Sequence, residues 1–194
     1  RAACRAYRDV HQGRGTYRRR ARHRATDGIR DAQGRPELTE CLDARLREGL
    51  RALGADVGNG AIDCLRAFLG LLDRGNRTYN LTAVRDPLEG VSRHVLDSLS
   101  VLPFIPAGRL LDVGAGAGLP GIPLAIARPS LDVTLVDSAG KKVRFIGHVR
   151  RELQLENIHP RHERVQSLEV AERFYAVITR AYSDLSVFPE SERH

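Results

Sequence analysis

The sequence predicts an α/β protein, a parallel sheet flanked by helices, with a small helical part in front of it. Three observations carry this. From Leu110 onward, short apolar strands alternate with helical patterns. Between the first strand and its helix, Gly114, Gly116, Gly118 and Gly121 place four glycines within eight positions. Ahead of the alternation, two amphipathic stripes recur at helical spacing.

In chain order, residues 1–35 show neither helical nor strand periodicity. They hold 11 arginines against Asp9, Asp27 and Asp31, a balance of +8, whereas the other 159 residues balance to −1. A disordered Arg-rich extension is expected, since few apolar residues offset its ordering entropy. Such a run could also meet nucleic-acid phosphates nonspecifically. Arginine outnumbers lysine 29 to 2, and no methionine is present, so Arg1 is not the expected natural start.

Residues 36–85 read as a helical part. Leu38, Leu42, Leu46, Leu50 and Leu53 form one stripe, stopped at Gly54, and Ile62, Leu65, Phe68, Leu69 and Leu72 form a second after Asn59. Composition predicts a loop from Asn76 to Thr82. Residues 86–194 read as the sheet domain. Its entry helix is capped by Asp86, with Pro87 at the first position and Glu89 reaching back, and it turns Val91, Val95, Leu99 and Leu102 inward before Pro103. The predicted strands are Leu110–Val113, Val133–Val136, Ile158–Glu163 and Tyr175–Thr179, with helices starting near Pro120 and over Lys141–Leu153. A doubly wound sheet ordinarily continues past a fourth strand, so this one is expected to be cut short at the C-terminus.

Three cysteines, Cys4, Cys41 and Cys64, show no metal spacing. Neither a disulfide framework nor a metal site is expected, and a reducing, cytoplasmic setting fits. No run of 18 apolar residues and no secretory h-region is found, so no membrane association is expected, and a monomer is.

The glycine turn has the context of a nucleoside-type cofactor site, a strand before it and a helix after it. Asp137 ends the next strand, 21 residues beyond Gly116, where a carboxylate can accept both hydroxyls of a ribose. Asp112 stands two residues before the first glycine. It would repel a pyrophosphate but suits the sulfonium and ammonium of S-adenosyl-L-methionine; otherwise it ties down loop amides. His94 and Asp97, three apart on one helix face, either line the target side of the pocket or tether the helical part to the sheet. Lys141, Lys142, Arg144, Arg164 and Arg180 are candidates for contacting nucleic-acid phosphates, or are solvated surface charges. Arg180 stands apart because it follows an apolar strand end next to the predicted cofactor.

The segments Asn80–Arg85, Arg93–Ser98, Asp112–Leu124 and Leu155–Ile158 together resemble the RsmG (GidB) family, the bacterial 16S rRNA guanine-N7 methyltransferases. The likeness runs over roughly residues 37–187, and the Leu119-Pro120-Gly121-Ile122-Pro123 ending of the glycine turn separates this family from most other methyltransferases. It implies a Rossmann-like class I S-adenosylmethionine-dependent methyltransferase acting on 16S rRNA or the 30S subunit. It also implies cofactor contacts at Gly114, Leu119, Val165, Gln166 and Arg180, to which Asp112, Gly116 and Asp137 add from the residues themselves. Gln166 departs from the glutamate frequent in the family, although an amide can still hydrogen-bond an adenine. Guanine N7 has an in-plane lone pair and no proton to lose, so the reaction needs placement and no general base. In agreement, no cysteine lies beyond Cys64 to serve as a nucleophile. A small-molecule methyltransferase and a non-catalytic binding remnant of the family remain as alternatives.

Overall fold

A computed structural model describes residues 36–164 and 173–180. The sequence readings for residues 1–35, for Val165 and Gln166, and for the chain beyond Arg180 lie outside the described residues.

The leucine stripe builds helix α1, Pro36–Ala52, and the second stripe builds α2, Asn59–Tyr79. Leu42, Leu46 and Leu50 of α1 are buried against Leu65, Phe68, Leu69 and Leu72 of α2. Arg66 is drawn into this contact, bonding Asp43 of α1 and, at 2.7 Å, Asp63 of its own helix. Cys41 is a free thiol, whereas buried Cys64 is disulfide-bonded. The expectation of no disulfide is corrected at Cys64: cysteines without motif spacing still allow a single bridge.

α2 runs further than composition suggested. Residues 76–79 are helical, and the helix stops at Asn80, whose left-handed φ of 49° lets its amide reach Asn76 O at 3.1 Å. Buried Asn76 then organises the segment up to Val84. Its Oδ1 accepts from the Thr82 amide at 2.9 Å, and its Nδ2 donates to Val84 O at 3.2 Å. A loop by composition is thus fastened to the helix that precedes it.

The entry helix begins as expected, with Asp86 accepting from the Leu88 amide at 2.9 Å over α3, Pro87–Gly90. Glu89 does not reach back; it pairs with Arg93 at 2.8 Å, one turn ahead. The helix also changes type. A π-helical segment, Val91–Leu96, is followed by an α-helical turn, α4, Asp97–Leu99, and by a 3₁₀ turn, Leu102–Phe104. π segments widen a helix locally and are frequent at functional sites. This one carries His94.

Four parallel strands come next: β1 (Arg109–Val113), β2 (Asp132–Asp137), β3 (Ile158–His162) and β4 (Ala176–Thr179), in the order β3-β2-β1-β4. Asp112 lies opposite Leu135 on one side and Ile178 on the other. Four consecutive buried residues in β1, Leu110 to Val113, mark a strand covered on both faces. Helices α5 (Gly121–Ala127) and α6 (Gly140–Leu153) connect β1 to β2 and β2 to β3. One continuous apolar core joins α1 and α2 to α5, α6 and one face of the sheet; on the other face Leu111, Val113 and Val136 cluster with Phe174. The chain crosses from β3 back past β1 to β4. The strand order therefore reverses beside β1, where open α/β sheets bind ligands at the carboxyl ends of their strands.

Candidate active site

The residues at that reversal enclose an open cavity of about 900 Å³. Its floor is the turn after β1. Gly114, Gly116 and Gly118 take φ of 69°, 58° and 85°, values that L side chains rarely adopt, and a Cβ on Gly118 would stand 2.2 Å from Ile122. The direction of the amides decides what the turn can hold. Gly114 and Ala115 donate to Val136 O, Gly116 to Asp137 Oδ2, and Gly118 and Leu119 to Ala115 O, all between 2.7 and 3.0 Å. Those N–H groups are consumed inside the protein. A phosphate cradle needs them free, so this turn does not fit a dinucleotide and fits a ligand without phosphate.

Asp137 lies at the cavity's β2 side. Its Oδ2 accepts from Gly116 and its Oδ1 from the Ala139 amide at 2.8 Å, and Lys142 Nζ stands 3.6 Å from Oδ2. Each oxygen keeps a lone-pair direction for a further donor such as a hydroxyl. Asp112, by contrast, does not line the cavity. Wholly buried beneath the turn, it accepts from the Gly121 amide at 2.8 Å through Oδ2, while Oδ1 has no partner. Desolvation, with a smaller push from Asp137, raises its carboxyl to about 7, against the opposing pull of the Gly121 amide. Of the two readings of Asp112, a charge complement to the cofactor's cations or a tie for loop amides, the geometry shows the second: it holds the turn from below through Gly121.

The helical part supplies the opposite wall. Thr82 Oγ1 accepts from the Val84 amide at 3.2 Å and shares a 2.9 Å hydrogen bond with His94 Nε2. His94 is buried, and its Nδ1 has no hydrogen bond. Desolvation holds its pKa below the usual imidazole value, helped by Arg180 and Arg93 and opposed by the Arg93 backbone and Asp97, so the ring is neutral near pH 7. Arg180, just past β4, donates to Arg93 O at 2.9 Å and pairs with Asp97 at 3.2 Å.

Of the residues singled out by sequence, Gly114, Gly116, Leu119, Asp137, His94, Lys142, Arg164 and Arg180 come together on this cavity. Asp97 stays off its wall and ties the helix to the sheet through Arg180, and Lys141 and Arg144 lie outside it. The sequence reading passed over Thr82, Ser138 and Glu163, which also line it. Thr82 lies within the Asn80-Leu81-Thr82 motif; Glu163 carries no signal beyond ending the predicted third strand.

A parallel sheet of order 3-2-1-4, a glycine turn closed to phosphate and an acidic residue at the end of β2 define a Rossmann-like S-adenosylmethionine-dependent methyltransferase. The model of the GidB family, rRNA small subunit methyltransferase G, matches residues 61–194, a stretch that contains every residue lining the cavity. The chain belongs to that family. It is 50% identical over 149 residues to the ribosomal RNA small subunit methyltransferase G of Pseudomonas fluorescens (strain Pf0-1), covering 77% of this chain and 70% of that protein. With the protein of the same description from Methylobacillus flagellatus it shares 47% identity over 153 residues, or 79% and 75% of the two chains. Among solved structures it is similar to a coclaurine N-methyltransferase bound to N-methylheliamine and SAH, at 17% identity and a TM-score of 0.41, covering 75% of this chain and 45% of that one.

Proposed function

We propose that this chain transfers the methyl group of S-adenosyl-L-methionine to N7 of a guanine in the decoding region of 16S rRNA. The family match over the whole cavity carries the reading, and the inward-turned amides agree with it by excluding a dinucleotide. When bound, the cofactor supplies an electrophilic methyl on a sulfonium. The chain's own residues do the rest. Gly114, Gly116 and Leu119 shape the floor, Asp137 takes hydroxyl donors, and Asp112 fixes the turn from below. Val165 and Gln166, outside the described residues, are cofactor contacts by resemblance alone. Thr82 and His94 form the wall against which a target base would be placed, and Arg180 and Arg164 face the cavity with positive charge suited to RNA phosphates.

No proton has to be removed from guanine N7, and the neutral His94 is not asked to remove one. No cysteine lines the cavity, so a covalent route through a thiol has no nucleophile among the described residues. Placement in line with the sulfonium is then the main contribution.

The test is methyl incorporation from labelled cofactor into unmodified 30S subunits and 16S rRNA, with free nucleosides as control. Borohydride–aniline cleavage, which breaks RNA at N7-methylguanine, then locates the label. One labelled guanine in the decoding region is expected. Label on small molecules alone would overturn the reading, as would no label on any substrate by a protein that binds the cofactor.

A further inference from the structure

Away from the cofactor cavity, α2 and α6 meet so closely that a Cβ on Gly75 would stand 2.6 Å from the ring of Phe145. Over this contact runs a second, smaller groove of about 410 Å³. Its two sides are alike in charge. From α2 come Arg74 and Tyr79; from α6 come Arg144, His148 and Arg151. All five are exposed, and no carboxylate lines the groove. Among the described residues, Arg74, Arg144 and Arg151 have no ion-pair partner, whereas neighbouring Arg77 is neutralised by Asp73 at 2.8 Å.

The basic residues of α6 share one face of their helix. Positions 141, 144, 148 and 151 fall at the spacing of a single stripe, and every one is basic: Lys141, Arg144, His148 and Arg151. The stripe starts one residue from Lys142, which lines the cofactor cavity, and runs about 15 Å down the helix. Tyr79, 41% exposed at the end of α2, offers an aromatic face beside these cations. Unpaired cations with an adjacent aromatic suit one kind of partner, a polyanion whose units also stack.

We infer that the α2–α6 groove is a second RNA-docking surface, which holds a strand flanking the target guanine by phosphate contacts to Arg74, Arg144 and Arg151 and by base stacking on Tyr79. The inference rests on the proposed rRNA methyl transfer. It separates two tasks on the molecule: the cavity takes the reacting base, and the groove fixes the register of the RNA that presents it.

The test is binding of unmodified 16S rRNA transcript between 50 and 200 mM salt, by the full chain and by an Arg74→Gln/Arg144→Gln/Arg151→Gln variant. Cofactor affinity and thermal melting serve as fold controls. The variant is expected to bind about tenfold more weakly at low salt, with the slope of log K against log salt reduced by about 2. Tyr79→Ala should weaken binding several-fold at all salts with an unchanged slope, and Tyr79→Phe should restore it. If the triple variant melts early, Arg144→Gln and Arg151→Gln alone are expected to lower the slope in smaller steps. Unchanged affinity and slope in these variants overturn the inference. So does a defect on assembled 30S subunits that is absent on naked RNA, which would assign the groove to a protein partner. The two readings fail separately: methyl transfer by the wild type with groove-independent RNA binding removes only the groove, and groove-dependent binding without any transfer removes only the reaction.

Discussion

Asp112 Oδ2 accepts its hydrogen bond from the Gly121 amide with no water-exposed surface on the carboxyl and no partner for Oδ1. A carboxylate in that position is costly to ionise, and its pKa is raised from 3.8 to about 7. The folded protein therefore retains a proton that the unfolded chain gives up. Stability contributed by this group is full below about pH 4 and falls as pH rises toward 7, by up to about 1.4 kcal/mol per pH unit. Asp112→Asn keeps an acceptor for Gly121 and removes the charge. Urea midpoints from pH 5 to 8 should fall more steeply for the wild type than for the variant; parallel profiles would refute the assignment.

Cofactor affinity tests the same carboxyl from above. A ligand carrying sulfonium and ammonium charge favours the ionised form of Asp112 through the turn. Binding should tighten between pH 6 and 8 and release protons, visible as buffer-dependent enthalpy in calorimetry. In Asp112→Asn both effects should vanish and affinity at pH 8 should drop several-fold. Equal proton release by the two proteins would assign the linkage to another group.

Gly121 is held to glycine by contact, since its φ is ordinary. An added Cβ would meet Asp112 Oδ2 at 2.7 Å and Leu135 Cδ2 at 2.9 Å. Gly121→Ala should cost about 1–3 kcal/mol of stability, as overpacking does, and should weaken the cofactor by lifting the turn. An alanine variant as stable as the wild type would show that the Asp112 side chain can withdraw.

How far the sequence reveals this site depends on the range over which each signal acts. The glycine turn, the Asp86 cap and the stripes of α1, α2 and α6 are legible because their causes lie within a few residues. Asp112 shows the limit. Its charge and spacing are visible, but whether it points into the cavity or beneath the turn depends on Gly121, nine residues on, and on Leu135 across the sheet. The end of α2 was missed because the polar run 76–79 looks like a loop until Asn76 is seen bonding Thr82 and Val84. The π segment at His94 left no composition signal, and Glu89 met the spacing of a capping box yet found Arg93 instead. Of the groove's basic residues only Arg144 stands out in the sequence, and its neighbours on α2 come from tertiary packing alone.

Arg180 and Asp97 link the end of β4 to the helical wall at 3.2 Å, with side chains 40% and 56% exposed. At that exposure the pair itself is worth less than about 1 kcal/mol. Arg180→Ala should therefore change stability little while weakening cofactor or RNA binding, because it also empties part of the cavity wall and frees Arg93 O. Asp97→Ala, which leaves Arg180 in place, should give the smaller binding defect. Equal defects would indicate that the pair, and not Arg180 alone, sets the site.

Thr82 and His94 are the final test, because the wall between helices and cavity depends on one hydroxyl. Thr82→Val removes the group that accepts from Val84 and bonds His94 Nε2, leaving a buried imidazole with neither nitrogen satisfied. The expected cost is about 1–3 kcal/mol, while Thr82→Ser, which restores the hydroxyl, should recover most of it. His94 adds a pH signature of opposite sign to that of Asp112. Its folded pKa is lowered from 6.5, so the folded protein binds fewer protons than the unfolded chain, and stability from this group is lost as pH falls below about 6.5. An imidazole resonance assigned to His94 should be less than half protonated at pH 6.5, because burial lowers its pKa. If it is half protonated or more there, the ring is solvated and the wall is open.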